Sequence, residues 1–208
     1  MTLSGPVIYD ALGRVTEQGR PDFRAGKSID LVTNLPRKNP TLFAYDALDR
    51  TIMVKTPDAK APGGYAVTTT SYGFDPLPGG TTQYFKTTVI DPEGSLVAGA
   101  GNRGTKISYK DVKDRILAVV EFNKVQDPVT KKPAPAQIVT RYEYDALGQI
   151  LAVRDAKGHT TTVTYDRFGR RTSISNPDTG LTDYTYDPNG NVTTKKTATA
   201  RSRGTIIK

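Results

Sequence analysis

One phrase, written three times at a 21-residue interval, constrains this chain more than any other feature. Tyr144-Asp145, Tyr165-Asp166 and Tyr186-Asp187 keep that spacing, and a glycine follows each at the same offset: Gly148, Gly169 and Gly190. A fixed period with a fixed turn inside it specifies a repeat architecture. Each copy is then one supersecondary unit that buries its surface only against its neighbours.

Every copy has a mechanical reading. Tyr142 and Tyr144 alternate with Arg141 and Glu143, and Tyr184 and Tyr186 flank Thr185. That period of two predicts a strand. Asp145, Asp166 and Asp187 open four-residue turns in which the carboxylate can accept hydrogen bonds from the next backbone N–H groups. The glycine three positions later supplies the positive φ of a bulged hairpin. Residues 150–153, 171–174 and 192–195 form the return strands, and the polar turns 155–158 and 176–180 lead to the next copy. Two strands and two turns per unit make an all-β antiparallel meander.

The phrase also occurs upstream. Tyr9-Asp10-Ala-Leu-Gly13-Arg14 matches in full, and Tyr45-Asp46-Ala-Leu-Asp49-Arg50 matches with Asp in the glycine slot. Weaker copies centre on Asp75, Asp91 and Asp111, the last with Arg115 in place but Lys110 where tyrosine belongs. The aspartate anchors therefore stand at 10, 46, 75, 91, 111, 145, 166 and 187. With the linking Gly158-His-Thr160 and Gly180-Leu-Thr182, this pattern resembles the tyrosine-aspartate (YD) or Rhs repeat family. That family includes Tc toxin shell subunits, bacterial polymorphic toxins and the teneurins.

The resemblance implies a segment of a spiralling β-sheet shell. It marks Tyr9, Asp10, Gly13, Arg14, Tyr45, Asp46, Arg50, Tyr144, Asp145, Gly148, Tyr165, Asp166, Gly169, Arg170, Tyr186, Asp187 and Gly190 as structural signature residues. It further implies a non-catalytic role in a bacterial protein that encapsulates and delivers a toxin. The partners would be the rest of the shell and an enclosed effector, and the location secreted or cell-surface. Eight two-strand units spaced about 4.8 Å apart give a ribbon of roughly 75 Å, or a ring about 25 Å across. A domain of about 100 residues, with a radius of gyration near 13 Å, would not fit inside. The segment alone is a wall, not a container.

The 208 residues read as a single repeat array, 1–208, with insertions at about 18–40 and 123–137 where prolines break the period. Neither end carries a capping signature, and 204–207 looks like the start of another copy, so the array is expected to be a fragment of a longer one. With no cysteine there is no disulfide framework or thiolate metal site. No signal peptide and no apolar run of about 18 residues occurs. The formal charge of +8 is spread over separate pairs, Arg37-Lys38, Lys131-Lys132, Arg170-Arg171 and Lys195-Lys196. A nucleic-acid surface concentrates its cations in one patch with aromatics between them, so these read as solvated strand faces and no nucleic-acid partner is expected.

Candidate chemical sites yield to structural readings. Gly99-Ala-Gly101-Asn-Arg-Gly104 has dinucleotide-loop spacing, but a strand-like run follows where a helix should begin. His159, the only histidine, has no second imidazole or thiol to work with. Asp187, Asn189 and Asn191 stand at alternate positions as calcium ligands do, yet the later bidentate Glu is missing. Asp187-Pro-Asn-Gly and Asp91-Pro-Glu-Gly94 look like the family's self-cleaving element but lack its continuation. No catalytic, cofactor or metal site is assigned. The tyrosines are expected to stack on adjacent strands, and exposed ones could also stack on a carbohydrate. A surface adhesion or glycan-binding module is thus the alternative reading, and open sheet edges would allow self-association.

Overall fold

A computed structural model describes residues 2–3, 5–23, 39–92, 104–126 and 133–202. The described chain is strand almost throughout: β1 (Thr2–Leu3), β2 (Val7–Tyr9), β3 (Val15–Gln18), β4 (Asp22–Phe23), β5 (Thr41–Tyr45), β6 (Thr51–Pro57), β7 (Tyr65–Pro76) and β8 (Gln83–Ile90). It continues with β9 (Thr105–Lys110), β10 (Ile116–Gln126), β11 (Pro133–Tyr144), β12 (Ile150–Arg154), β13 (Thr160–Tyr165), β14 (Arg171–Asn176), β15 (Gly180–Tyr186) and β16 (Val192–Lys196). Fourteen of these form one meander sheet in sequence order, from β2 at one edge to β16 at the other, while β1 pairs with β4 separately.

Contacts divide the chain into two compact units. The first comprises Met1–Gly73, Thr87–Ile107 and Phe122–Pro135, the second Phe74–Lys86, Ser108–Glu121 and Ala136–Lys208. In the first, β2 pairs with β3, β3 with β5, β5 with β6 and β6 with β7, all antiparallel. In the second, the register Tyr142↔Val153↔Thr161 and Val163↔Ile174↔Thr182, with Tyr184↔Lys195, places tyrosines and aliphatics on one face. Ala152, Thr162, Thr164, Ser173 and Ser175 take the other, as a period of two requires. Among the described residues, burial is complete or nearly so only at Ala61 in the first unit and at Tyr109, Ala118, Val120 and Ala152 in the second. Most other strand residues are half-buried, so cohesion depends on hydrogen bonds and side-chain pairs between neighbouring strands.

Five of the repeat hairpins carry a bulge. Ile8 pairs with Glu17 but Tyr9 with Val15, which leaves Thr16 unmatched; the same slip occurs before Tyr45, Tyr144, Tyr165 and Tyr186. Such a bulge bends the strand and sharpens its twist. At three of these positions the unmatched residue is a threonine bonded back across the hairpin: Thr16 to the Ile8 carbonyl (3.3 Å), Thr172 to Thr164 (2.8 Å) and Thr193 to Thr185 (2.9 Å).

One sequence expectation is corrected here, and two others fall outside the described residues. The stretch expected as a proline-rich loop, 123–137, is largely strand: β10 runs to Gln126 and β11 starts at Pro133, with 127–132 outside the described residues. Pro133 stands at the first position of β11, where proline is tolerated, so it ended the sequence pattern without ending the structure. Of the insertion 18–40, Asp22–Phe23 pairs with Thr2–Leu3, while 24–38, including the short strand expected at 28–33, lies outside the described residues. The possible further copy at 204–207 also lies outside them. A short helix, α1 (Ala198–Ser202), was not anticipated, because five residues are too few to show a 3.6 period. It approaches β15 so closely that a Cβ on Gly180 would stand 2.6 Å from the Ala198 Cβ.

Candidate functional site

The recurring aspartate organises a five-residue turn. The Asp10 N–H donates to the Arg14 carbonyl (2.9 Å) and the Gly13 N–H to the Asp10 carbonyl (3.0 Å). The same pair of bonds closes 46–50, 111–115, 145–149, 155–159, 166–170 and 187–191. The carboxylate then serves both ends of the turn. Asp166 Oδ1 accepts the Phe168 and Arg170 N–H groups at 2.9 Å each, and Oδ2 accepts Arg170 Nε at 2.7 Å. Asp10, Asp46 and Asp111 hold Arg14, Arg50 and Arg115 in the same way. Where the fourth turn residue is glycine its φ is positive, from 78° at Gly13 to 90° at Gly158, which explains the glycine. Asp49 (60°) and Asp114 (62°) tolerate the slot, as short polar side chains can.

In three copies the arginine links its turn to the next. Arg14 Nη1 donates to the Asp46 carbonyl (3.2 Å), Arg115 to that of Asp145 (2.9 Å) and Arg170 to that of Asp187 (3.0 Å). Their guanidinium carbons lie 5.0, 5.0 and 4.8 Å from the ring centroids of Tyr45, Tyr144 and Tyr186, close enough for cation–π attraction. Each tyrosine in turn donates its hydroxyl to the bulge carbonyl of the preceding copy: Tyr45 to Val15 (2.8 Å), Tyr144 to Ile116 (2.9 Å), Tyr165 to Ile150 (3.0 Å) and Tyr186 to Arg171 (2.7 Å). Where Gln149 replaces the arginine, its amide still reaches forward, to the Gly169 carbonyl at 3.0 Å. Tyrosine, aspartate, glycine and arginine thus form one ladder, read in the direction of the chain.

Residues 144–181 and 165–202 match the RHS Repeat family. Residues 144–202 thus carry Rhs repeats. Over 95% of its length it is similar in fold to the crystal structures of TcdB2-TccC3-TEV (TM-score 0.63, 18% identity) and TcdB2-TccC3-Cdc42 (TM-score 0.62, 19% identity). It spans 9% of each of those chains. No curated protein matches it.

At six of these turns, those of Asp10, Asp46, Asp111, Asp155, Asp166 and Asp187, the carboxyl pKa lies below its ordinary value. At Asp10 the Arg14 N–H, and at Asp46 the Arg50 guanidinium, lead in drawing the carboxyl below its ordinary range. At Asp111, Asp155 and Asp166 desolvation is the largest single influence and opposes this. The turn N–H groups and the side chain at the fifth position together outweigh it. Asp187 is lowered chiefly by the Asn191 amide, which donates to Oδ2 at 2.8 Å. A carboxylate so engaged has most of its acceptor sites occupied within its own turn.

Other sequence candidates fall into place around this ladder. His159 occupies the arginine slot of the turn 155–159, with Nδ1 3.0 Å from Asp155 Oδ2. That turn was read only as a link between copies, since no tyrosine precedes it; its signal was an aspartate with glycine three positions on. Asp187 makes its own turn bonds. Gly104 leads into β9, a strand where a dinucleotide loop needs a helix, and 99–103 lie outside the described residues. Two expected anchors behave differently. Asp75 lies inside β7 and pairs with Lys86 (2.7 Å), because the reversal comes later, where the Gly80 N–H meets the Leu77 carbonyl (2.8 Å). The Asp91 N–H meets the Gly104 carbonyl (2.9 Å), closing a far longer excursion than five residues.

Proposed function

We propose that this chain is a non-catalytic wall segment of a bacterial, secreted or surface-located Rhs shell protein, whose complete form encloses a toxin effector for delivery. The observation that carries the reading is the forward ladder. The repeated carboxylates and guanidiniums are spent on holding one hairpin to the next, and spending them so suits a wall and not a reaction centre. The fold likeness to TcdB2-TccC3 structures supports a shell context. Its neighbours would be further repeats paired along the outermost strands β2 and β16, whose outer backbone groups can take another strand. No helix among the described residues is long and apolar enough to cross a membrane.

Cryo-electron microscopy of the full gene product tests this. The expected image is a hollow β-walled particle with density inside and this segment in the wall. A product of 208 residues standing alone as a compact monomer would overturn the proposal.

A further inference from the structure

Among the asparagines whose side chains the structure describes, Asn39, Asn176, Asn189 and Asn191, one differs from the rest in the residue that follows it. The backbone nitrogen of the next residue can attack an asparagine side chain at Cγ. That attack needs an N–H that can lose its proton and a neighbour small enough to approach. Asn39 and Asn176 precede Pro40 and Pro177, whose nitrogens carry no hydrogen. Asn191 precedes Val192, branched at Cβ, and already donates its amide to Asp187 Oδ2 at 2.8 Å. Asn189 precedes Gly190. It is exposed, and its side-chain amide makes no hydrogen bond among the described residues.

The turn sets the remaining requirement. The Gly190 N–H donates to the Asp187 carbonyl at 3.1 Å, so the nitrogen is released only when the turn opens. This turn joins β15 to β16, and β16 ends the sheet, pairing on one side only. Local opening at such an edge costs little compared with unfolding the whole unit. Once it opens, Gly190 offers an unhindered approach, with nothing within 4 Å of the place a Cβ would take.

We propose that Asn189 is a site of spontaneous deamidation. The Gly190 N–H gives its proton to solvent base, and the nitrogen bonds Asn189 Cγ to close a succinimide ring. The Cγ–Nδ2 bond breaks, and ammonia leaves with a proton taken from water. Water then opens the ring. Cleavage at Cγ leaves aspartate; cleavage at the main-chain carbonyl leaves isoaspartate, with the chain rerouted through Cβ and Cγ. Either product adds a negative charge in the groove that Arg167 and Arg170 line. Isoaspartate also lengthens the backbone of the turn 187–191. Its two closing bonds, 2.9 Å from the Asp187 N–H to the Asn191 carbonyl and 3.1 Å at Gly190, then cannot both persist. The reaction is a slow, one-way loosening of the hairpin that Arg170 holds through the Asp187 carbonyl.

Peptide mapping by mass spectrometry tests this on the complete chain, stored for weeks at neutral and at mildly alkaline pH beside a sample unfolded in guanidinium chloride. In the folded chain Asn189 is expected to react about tenfold or more faster than Asn191. It should also react within about tenfold of its own rate in the unfolded sample, a factor that corresponds to an opening cost of about 1.4 kcal/mol. Alkali should accelerate the reaction, because the attacking nitrogen must lose its proton. The aged parent should melt at a lower temperature than the fresh one. Aged Asn189→Gln, whose longer side chain would have to close a larger ring, should keep its melting temperature. A rate at Asn189 more than about a hundredfold below the unfolded rate, equal rates at Asn189 and Asn191, insensitivity to pH, or an equal loss of melting temperature in aged Asn189→Gln would overturn the proposal.

Discussion

Tyr144→Phe removes one atom from the ladder and leaves the ring in place. The lost hydroxyl donates to the Ile116 carbonyl at 2.9 Å, from a half-buried site where desolvation also pushes the phenol pKa up. A single hydrogen bond of this kind contributes about 1 kcal/mol net, and in a chain near 200 residues that lowers the melting temperature by about 2–4 °C. Tyr144→Leu goes further, because it also removes the ring 5.0 Å from the Arg115 guanidinium. That contact contributes about 0.5–1 kcal/mol at a partly exposed site. Urea unfolding of the parent, Tyr144→Leu, Arg115→Met and the double variant closes a cycle from which the coupling is read directly. Circular dichroism at constant m-value is the readout, since a changed m would mean that repeats unfold separately. The expected coupling is about 0.5–1 kcal/mol. Additive losses, within about 0.3 kcal/mol, would refute the claim that arginine and tyrosine of successive copies act as a pair.

Other expectations follow from the same geometry. Gly169→Ala puts a Cβ at φ +78°, 2.8 Å from Gln149 Nε2, and should cost about 1–2 kcal/mol by denaturation. Val120→Ala empties part of the fully buried site in β10 and should cost about 2 kcal/mol in the same assay. Because Asp10, Asp46, Asp111, Asp155, Asp166 and Asp187 all have lowered pKa values, their contribution is complete above the unfolded aspartate pKa of about 3.9. It is lost as pH falls through the lower folded values. A melting series should therefore be flat with respect to these groups from pH 5 to 7 and fall steeply below about pH 4; a fall centred near pH 6 would contradict this.

Much of the fold was legible because the repeat fixes spacing. Tyr144, Asp145 and Gly148 announce strand, turn and left-handed residue at set offsets, and the three C-terminal hairpins follow. The arginine was legible as part of the motif but not in its action, since Arg14 reaches Asp46 across 32 positions and no local pattern encodes that distance. Asp75 misled for the opposite reason: an aspartate after an aromatic looks like an anchor, yet Lys86 on the neighbouring strand neutralises it inside β7. The segment 155–158 was legible as a turn but not as the same aspartate-centred unit, because no tyrosine precedes it, whereas the unit needs only the carboxylate, a residue that accepts positive φ at the fourth position and a donor at the fifth.

The account rests on forward coupling between hairpins, and native-state hydrogen exchange on Arg170→Ala tests it most directly. Arg170 bonds the Asp187 carbonyl and stacks on Tyr186, so removing it should accelerate exchange in the turn 187–191 and at the end of β15. The preceding turns 145–149 and 155–159 should keep their protection. Acceleration confined to 166–170, or spread evenly over every turn of the unit, would contradict a ladder that runs from each repeat to the next.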